Sequence, residues 1–310
     1  MAGTSASGVH QSEARKGGLS RRHSDLLWAL FFIAPQVIGL AVFSLFPLLT
    51  AFYLSVTDWT GFNDVSFVGL QNFVDLFQSE DLWIALRNTL VYTLITVPGG
   101  MVLALLVALG LNNVRFKNFY RMLYFMPNIT SSVAVSVIWL YLLNGDFGVI
   151  NTTIRANFGI DLPNWLVDDR FVVPAIAVVG IWWGLGFSMV IFLAGLQNVP
   201  SSLVEAAQID GASKAQVFWY VTLPILSPTT FFLTIMSIIG SFQVFDQAYV
   251  MTGGGPGKAS YTMVYHIFQL GFQTFNFGVS SAAAVILFGI ILLVTIFQFS
   301  MQKRWVHYED

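Results

Sequence analysis

Few residues in this 310-residue chain are placed to do covalent chemistry, and their spacing fails each reaction that their types suggest. The stretch GGGPGKAS, 253–260, looks like a loop that cradles nucleotide phosphates, but such a loop needs Gly at 252, where Thr stands, and Ser or Thr at 259, where Ala stands. His10, His23, His266 and His307 show no metal-ligand spacing, and no Ser, His and Asp set converges. Cysteine is absent, which excludes disulfides and thiolate metal sites. No catalytic residue, no metal site and no cofactor in this chain are expected.

Recognition chemistry is more legible, at EAAQIDGASKAQVFWYVTLP, 205–224. Ser202 with Glu205 reads S-x-x-E and Ser213 with Gln216 reads S-x-x-Q, so two capping boxes are expected to start two short helices. Asp210 and Gly211 make the turn, Gly211 supplying positive φ, while Ala206, Ala207 and Ala212 keep it narrow enough to pack against another surface. Glu205 is expected in the first helical turn, favourable in the helix dipole. A bare connection needs about four to six residues. The extra length here predicts docking to a soluble partner.

The elements that must hold this hairpin follow from composition. The chain is 56% hydrophobic and 10% charged, against roughly 25% charged in a soluble domain. Uncharged runs at 26–57, 88–114, 122–145, 171–204, 215–245 and 259–302 each exceed the ~20 residues of a membrane-spanning helix. The expected fold is therefore an all-α polytopic membrane protein with six spans, about 26–56, 86–111, 120–143, 171–197, 220–243 and 279–302, because a membrane barrel would show shorter alternating runs. With the N-terminus inside, Arg15, Lys16, Arg21, Arg22, Arg115, Lys117, Arg121, Lys214, Lys303 and Arg304 face the cytoplasm, against Arg87, Arg155, Arg170 and Lys258 outside. This positive-inside bias puts both termini and the 200–219 hairpin in the cytoplasm.

Residues 1–25, polar and rich in Gly, Ser and Arg, read as a disordered cytoplasmic tail, and 304–310 as a second tail. SRRHSD raises a twin-arginine signal, but the apolar run after it is too long, so an uncleaved first span is expected. The lipid bilayer is the expected surrounding, and without basic clusters interleaved with aromatics nucleic acid is not an expected partner. The outer loops 57–85, 144–170 and 244–278 are long and mixed. Pro98, Pro127, Pro174, Pro224 and Pro228 fall in or at the ends of spans.

EAAQIDGASKAQVFWYVTLPILSP, 205–228, resembles the EAA signature of the permease subunits of ABC importers. FVGLQNF at 67–73, NWLVDD at 164–169 and MTGGGP at 251–256 resemble the carbohydrate branch of that family, the first of its two paired subunits. The resemblance spans 26–303. It implies a type I ABC importer permease fold in the inner or plasma membrane of a prokaryote, and import of a sugar, a di- or oligosaccharide. The implied partners are a second permease subunit, two ATPase subunits that bind ATP and Mg, and an extracellular or periplasmic sugar-binding protein. It also implies that Glu205, Ala206, Ala207, Asp210, Gly211 and Ala212 couple this non-catalytic chain to its ATPase partner, which drives alternating access.

Sugar sites combine aromatic faces with hydroxyl-binding polar groups. LYFMPNIT, GIWWGLGFSM and GSFQVFDQ, in the third, fourth and fifth expected spans, have that mixture. Matched to maltose-type permeases, they place the implied substrate path on Tyr124, Asn128, Gly180, Trp183, Gly184, Phe187, Phe242 and Gln243. Asp246, near the outer end of its span, suits a gate or binding-protein contact. The match departs from the maltose type in lacking extra N-terminal spans and a large extracellular domain, and in its Gly180 and Phe187, where that type has Asn and Tyr. Other oligosaccharides and glycerol 3-phosphate are carried by six-span members. With no cation in these spans, a neutral sugar is favoured. The alternative, an ATP-independent secondary transporter or channel, calls for ionisable residues at midplane, which the six runs lack.

Overall fold

The computed structural model describes residues 18–305 except 113, so the expected tails fall largely outside the described residues. The chain divides into two compact units, Met1–Tyr53 and Leu54–Asp310. The first unit is a single rod: α1 (Gly18–Leu40), a π turn (Ala41–Leu45) and α2 (Phe46–Ser55), which runs on past the unit boundary. Its start at Gly18 lies inside the segment expected to be a tail, since extending a nucleated helix costs little. The wide turn ends two residues before Pro47, which has no N–H to continue the ladder.

The second unit opens with a two-residue antiparallel pair, β1 (Thr57–Asp58) and β2 (Ser66–Phe67). Buried Asn72 secures it by donating to the Ser55 and Thr57 carbonyls at 3.0 and 2.9 Å. α3 (Gln71–Gln78) and α4 (Glu80–Asn112) follow, then α5 (Lys117–Ile129), α6 (Ser132–Leu142), α7 (Val149–Phe158) and α8 (Val172–Gln197). The remainder is α9 (Ser201–Ile209), α10 (Lys214–Val217), a π turn (Phe218–Thr222), α11 (Leu223–Ile225), α12 (Ser227–Phe242), α13 (Asp246–Thr252), α14 (Met263–Phe268), a π turn (Gln269–Gln273) and α15 (Phe277–Trp305).

Among the described residues, four helices are long and apolar enough to cross a membrane: Asp25–Ser55, Glu80–Asn112, Val172–Gln197 and Phe277–Lys303. The third and fifth expected spans are instead broken pairs, so the number of spans is four to six. Lys117–Ile129 and Ser132–Leu142 meet at 95°, and Lys214–Ile225 and Ser227–Phe242 at 65°. The first break has a local cause. Thr130 turns its hydroxyl onto the Met126 carbonyl at 3.2 Å, and Thr130 and Ser131 have ψ of 144° and 131°, outside the helical range. At the second, Pro228 has no N–H for the Pro224 carbonyl, and the Ser227 hydroxyl binds that carbonyl at 2.6 Å.

α4 and α8 form the centre of this unit. Their contact is made close by small residues, Ala104 and Ala108 being fully buried against Met189, Phe192 and Leu193. α8 also touches α5 backbone to backbone: a Cβ on Gly186 would strike the Tyr124 carbonyl and lie 2.6 Å from the Phe125 Cα. A third cluster joins Leu82 and Ala85 of α4 to Met263, Ala282 and Ala283 of α14 and α15.

Candidate functional site

The first break, the end of α12 with its link into α13, and the α4–α8 pair line a cavity of about 380 Å³. Tyr92, Thr96, Val97 and Gly100 of α4 line one side, and Gly180, Ile181, Trp183, Gly184, Leu185 and Ser188 of α8 another. Ser132 contributes from the first break, Ser237, Gly240 and Ser241 from the end of α12, and Gln243 to Gln247 from the link into α13. The lining thus holds one indole, two glutamines, six hydroxyls and one carboxylate, that of Asp246, with no Lys or Arg among these residues.

Polar groups of the wall hold the first break in place. The Trp183 indole donates to the Thr130 carbonyl at 3.2 Å, satisfying a group that the bend frees, and Ser132 donates to the Asp246 carboxylate. Asp246 therefore ties the start of α6 to the start of α13. Of the expected path residues, Gly180, Trp183, Gly184 and Gln243 line the cavity. Tyr124, Asn128 and Phe187 do not, and Phe242 is 3% exposed, packed in the cluster of Leu82 and Met263. One residue along a helix is a turn of about 100°, which puts Phe242 in the core while Ser241 and Gln243 reach the cavity.

Sequence reasoning missed Tyr92, Thr96, Ser132, Ser188, Ser237, Ser241 and Gln247. The criterion that a polar side chain inside an apolar run faces a partner or a wet space, applied to hydroxyls, would have reached several of them.

The hairpin is exposed. Glu205 and Ala206 lie in α9, Asp210 caps it, and Gly211 has φ of +85°. Gly211 and Ala212 donate to the carbonyls of Gln208 and Ala207 at 3.1 and 2.9 Å, the complete bond pair of a Schellman stop. Ala207 and Ala212 are half-buried inside the turn. The Ser213–Gln216 capping box forms, with bonds of 2.8 and 3.3 Å. The one expected at Ser202 and Glu205 does not: Pro200 is the N-cap, so Glu205 is the fifth helical residue, beyond the first turn. Nor does a second short helix close the hairpin, since Lys214–Ile225 runs on as the first half of the broken pair. Ile209 at 86% exposed and Tyr220 at 80% leave an apolar tip uncovered.

The glycine-rich loop proves to be structural. Thr252 and Ser260 bond each other at 2.7 Å, Ser260 binds the Gly255 carbonyl, and Asn88 donates to the Lys258 and Tyr261 carbonyls at 2.9 and 3.1 Å. The exposed Lys258 pairs with Asp81 at 2.5 Å. Beside it Tyr261 donates to Gln269, so its oxygen accepts from Nδ1 of His266, 2.9 Å away. That places a proton on Nδ1 of the buried imidazole and leaves Nε2, among the described residues, unpartnered. Burial holds its pKa below the ordinary value, an effect opposed by Asp81 and assisted by Lys258.

Comparison with known proteins adds four likenesses. A family model described as binding-protein-dependent transport system inner membrane component matches residues 96–307. The chain is 36% identical over 305 residues, 96% of its length and 97% of the relative's, to the "Probable ABC transporter permease protein YesP" of Bacillus subtilis strain 168. It is also 36% identical over 279 residues, 89% of its length and 94% of the relative's, to the sn-glycerol-3-phosphate transport system permease protein UgpA of Agrobacterium fabrum. A chain of a bacterial alginate ABC transporter, solved in complex with an alginate pentasaccharide-bound periplasmic protein, shares its fold. The TM-score is 0.78 at 24% identity, covering 94% of this chain and 98% of that one.

Proposed function

Because this chain belongs to the family of binding-protein-dependent transport system inner membrane components, we propose that it is a translocation subunit of an ATP-driven importer for a neutral di- or oligosaccharide. In this reading it crosses a prokaryotic inner membrane six times, each broken pair counting as one span, with both termini in the cytoplasm. A second permease subunit completes the path, two ATPase subunits hold ATP and Mg, and a sugar-binding protein delivers the cargo outside.

The observation that carries the reading is the cavity's lining. Hydroxyls and amides match the alternating donors and acceptors of a sugar, the Trp183 indole offers a face to its C–H groups, and the volume falls in the range of about 300–1,000 Å³ for small-molecule sites. UgpA is named for a phosphate ester, and the alginate transporter for an acidic polysaccharide. Here a carboxylate stands in the wall with no cation among the lining residues, which supports an uncharged cargo. At the other end, the exposed hairpin with its apolar tip supports docking into the ATPase through Glu205, Ala206, Ala207, Asp210, Gly211 and Ala212.

The test is co-purification from mild detergent followed by uptake in proteoliposomes. An ATPase and a second permease should accompany the chain, and uptake should require ATP and the binding protein. Uptake by this chain alone, without nucleotide, would overturn the proposal in favour of a secondary transporter or channel.

A further inference from the structure

We propose that Tyr92 is a specificity-determining residue of the cavity, its phenol hydroxyl binding one hydroxyl of the saccharide; this rests on the sugar reading above. The ring is 5% exposed, held in the core cluster with Ile176 and Val179, so its direction is fixed. The hydroxyl lies over Gly180, where any Cβ would collide with it, and both residues line the cavity. Among the described residues that hydroxyl has no hydrogen-bond partner.

Three of the other five wall hydroxyls differ in this respect. Thr96 donates to the Tyr92 carbonyl at 2.8 Å, Ser241 to the Ile238 carbonyl at 2.9 Å, and Ser132 to Asp246. Ser and Thr in a helix can always turn back on the preceding turn in this way, whereas a phenol oxygen lies too far from its own backbone to do so. Buried tyrosine hydroxyls usually find a partner, and here the cavity is the side on which one can arrive. A sugar hydroxyl, donor and acceptor at once, is complementary to a phenol. Gly180 leaves the approach open, and Asp246, acceptor only, offers a second contact to the same kind of group.

The experiment uses the full complex with its ATPase and binding protein in proteoliposomes, radiolabelled maltose and cellobiose as probes, and the monodeoxy analogues of whichever is carried. Tyr92→Phe keeps the ring and removes only the hydroxyl. Uptake should fall about 3- to 10-fold, the effect of one neutral hydrogen bond. One deoxy position should lower uptake in the wild type and no longer matter in Tyr92→Phe. The binding protein is the same in both arms, so its own preference cancels, and a purely structural role for Tyr92 would lower uptake of all the sugars alike. If Tyr92→Phe discriminates among the analogues as the wild type does, the inference fails and the sugar reading stands. If the wild type carries neither probe nor any other neutral saccharide, the sugar reading fails and takes the inference with it.

Discussion

Two glycines of α8, two residues and so about 200° apart in orientation, should respond to the same substitution in opposite directions. At Gly186 an added methyl would meet the Tyr124 carbonyl and stand 2.6 Å from the Phe125 Cα, where ordinary contact begins at 3.4 Å; at Gly184 nothing lies within 4 Å. Backbone atoms cannot rotate away as a side chain does, so α5 and α8 must part by about 1 Å in a closely packed interior. Overpacking of this kind costs up to about 3 kcal/mol, and the ~1 kcal/mol that alanine gains over glycine in a helix leaves Gly186→Ala about 2 kcal/mol less stable. Gly184→Ala keeps the gain without the collision. The two variants should therefore differ by about 3 kcal/mol, or about 6 °C in midpoint at roughly 2 °C per kcal/mol. Thermal unfolding of the detergent-purified protein, followed by size-exclusion chromatography after heating, measures the difference. Gly184→Ala should also transport less despite its stability, because the new methyl projects from the cavity wall. Equal midpoints for the two variants would refute the account of the α5–α8 crossing.

Three further outcomes follow from the sites. Gly211→Val, at φ of +85°, costs about 1–2 kcal/mol of left-handed strain and should leave the chain inserted but abolish ATP-driven uptake and ATPase co-purification; wild-type uptake would remove the coupling assignment. Asp246→Asn should hold neutral-sugar uptake within about tenfold, since Ser132 can donate to an amide oxygen with the loss of about 1 kcal/mol of charge assistance, and loss of the folded protein would make Asp246 structural instead. His266 has a folded pKa below the unfolded value of 6.5, so the unfolded state takes up the proton first and stability falls as the pH drops through 6.5. His266→Asn should flatten that slope in a hydrogen-exchange profile of residues 253–262, and coincident profiles would count against the assignment.

Parts of the architecture were plain from the residues. Long uncharged runs force helices, and Gly211 declares its turn because few other residues enter that backbone region without cost. Gly180, Trp183 and Gly184 recur at helical spacing, so one correct member brings the others onto the same face. Phe187 does not line the cavity although Ser188, the next residue, does, because one step along the helix turns the side chain by about 100°. Tyr92 was hidden for the opposite reason: nothing in VYTLITV distinguishes a core tyrosine from a wall tyrosine until α8 is laid against it. The prolines did not announce the breaks, since α4 runs through Pro98 uninterrupted, and the 95° angle depends on Thr130 and Ser131 leaving the helical range together, which no single-residue preference dictates. At Ser202 the capping pattern was present, but the helix had already started at Pro200.

The broken pair that begins at the hairpin has a mechanical consequence. Lys214–Ile225 rises directly from the exposed turn, and Ser227–Phe242 ends in the cavity wall, with the elbow at Leu226 between them. The inner arm, 16 residues long, spans about 24 Å at 1.5 Å per residue. On an arm of about that length, a change of about 10° at the elbow sweeps the far end through about 4 Å, more than the diameter of a water molecule. The other arm, 12 residues and about 18 Å long, sweeps about 3 Å for the same change, so the two ends of the pair move through comparable distances.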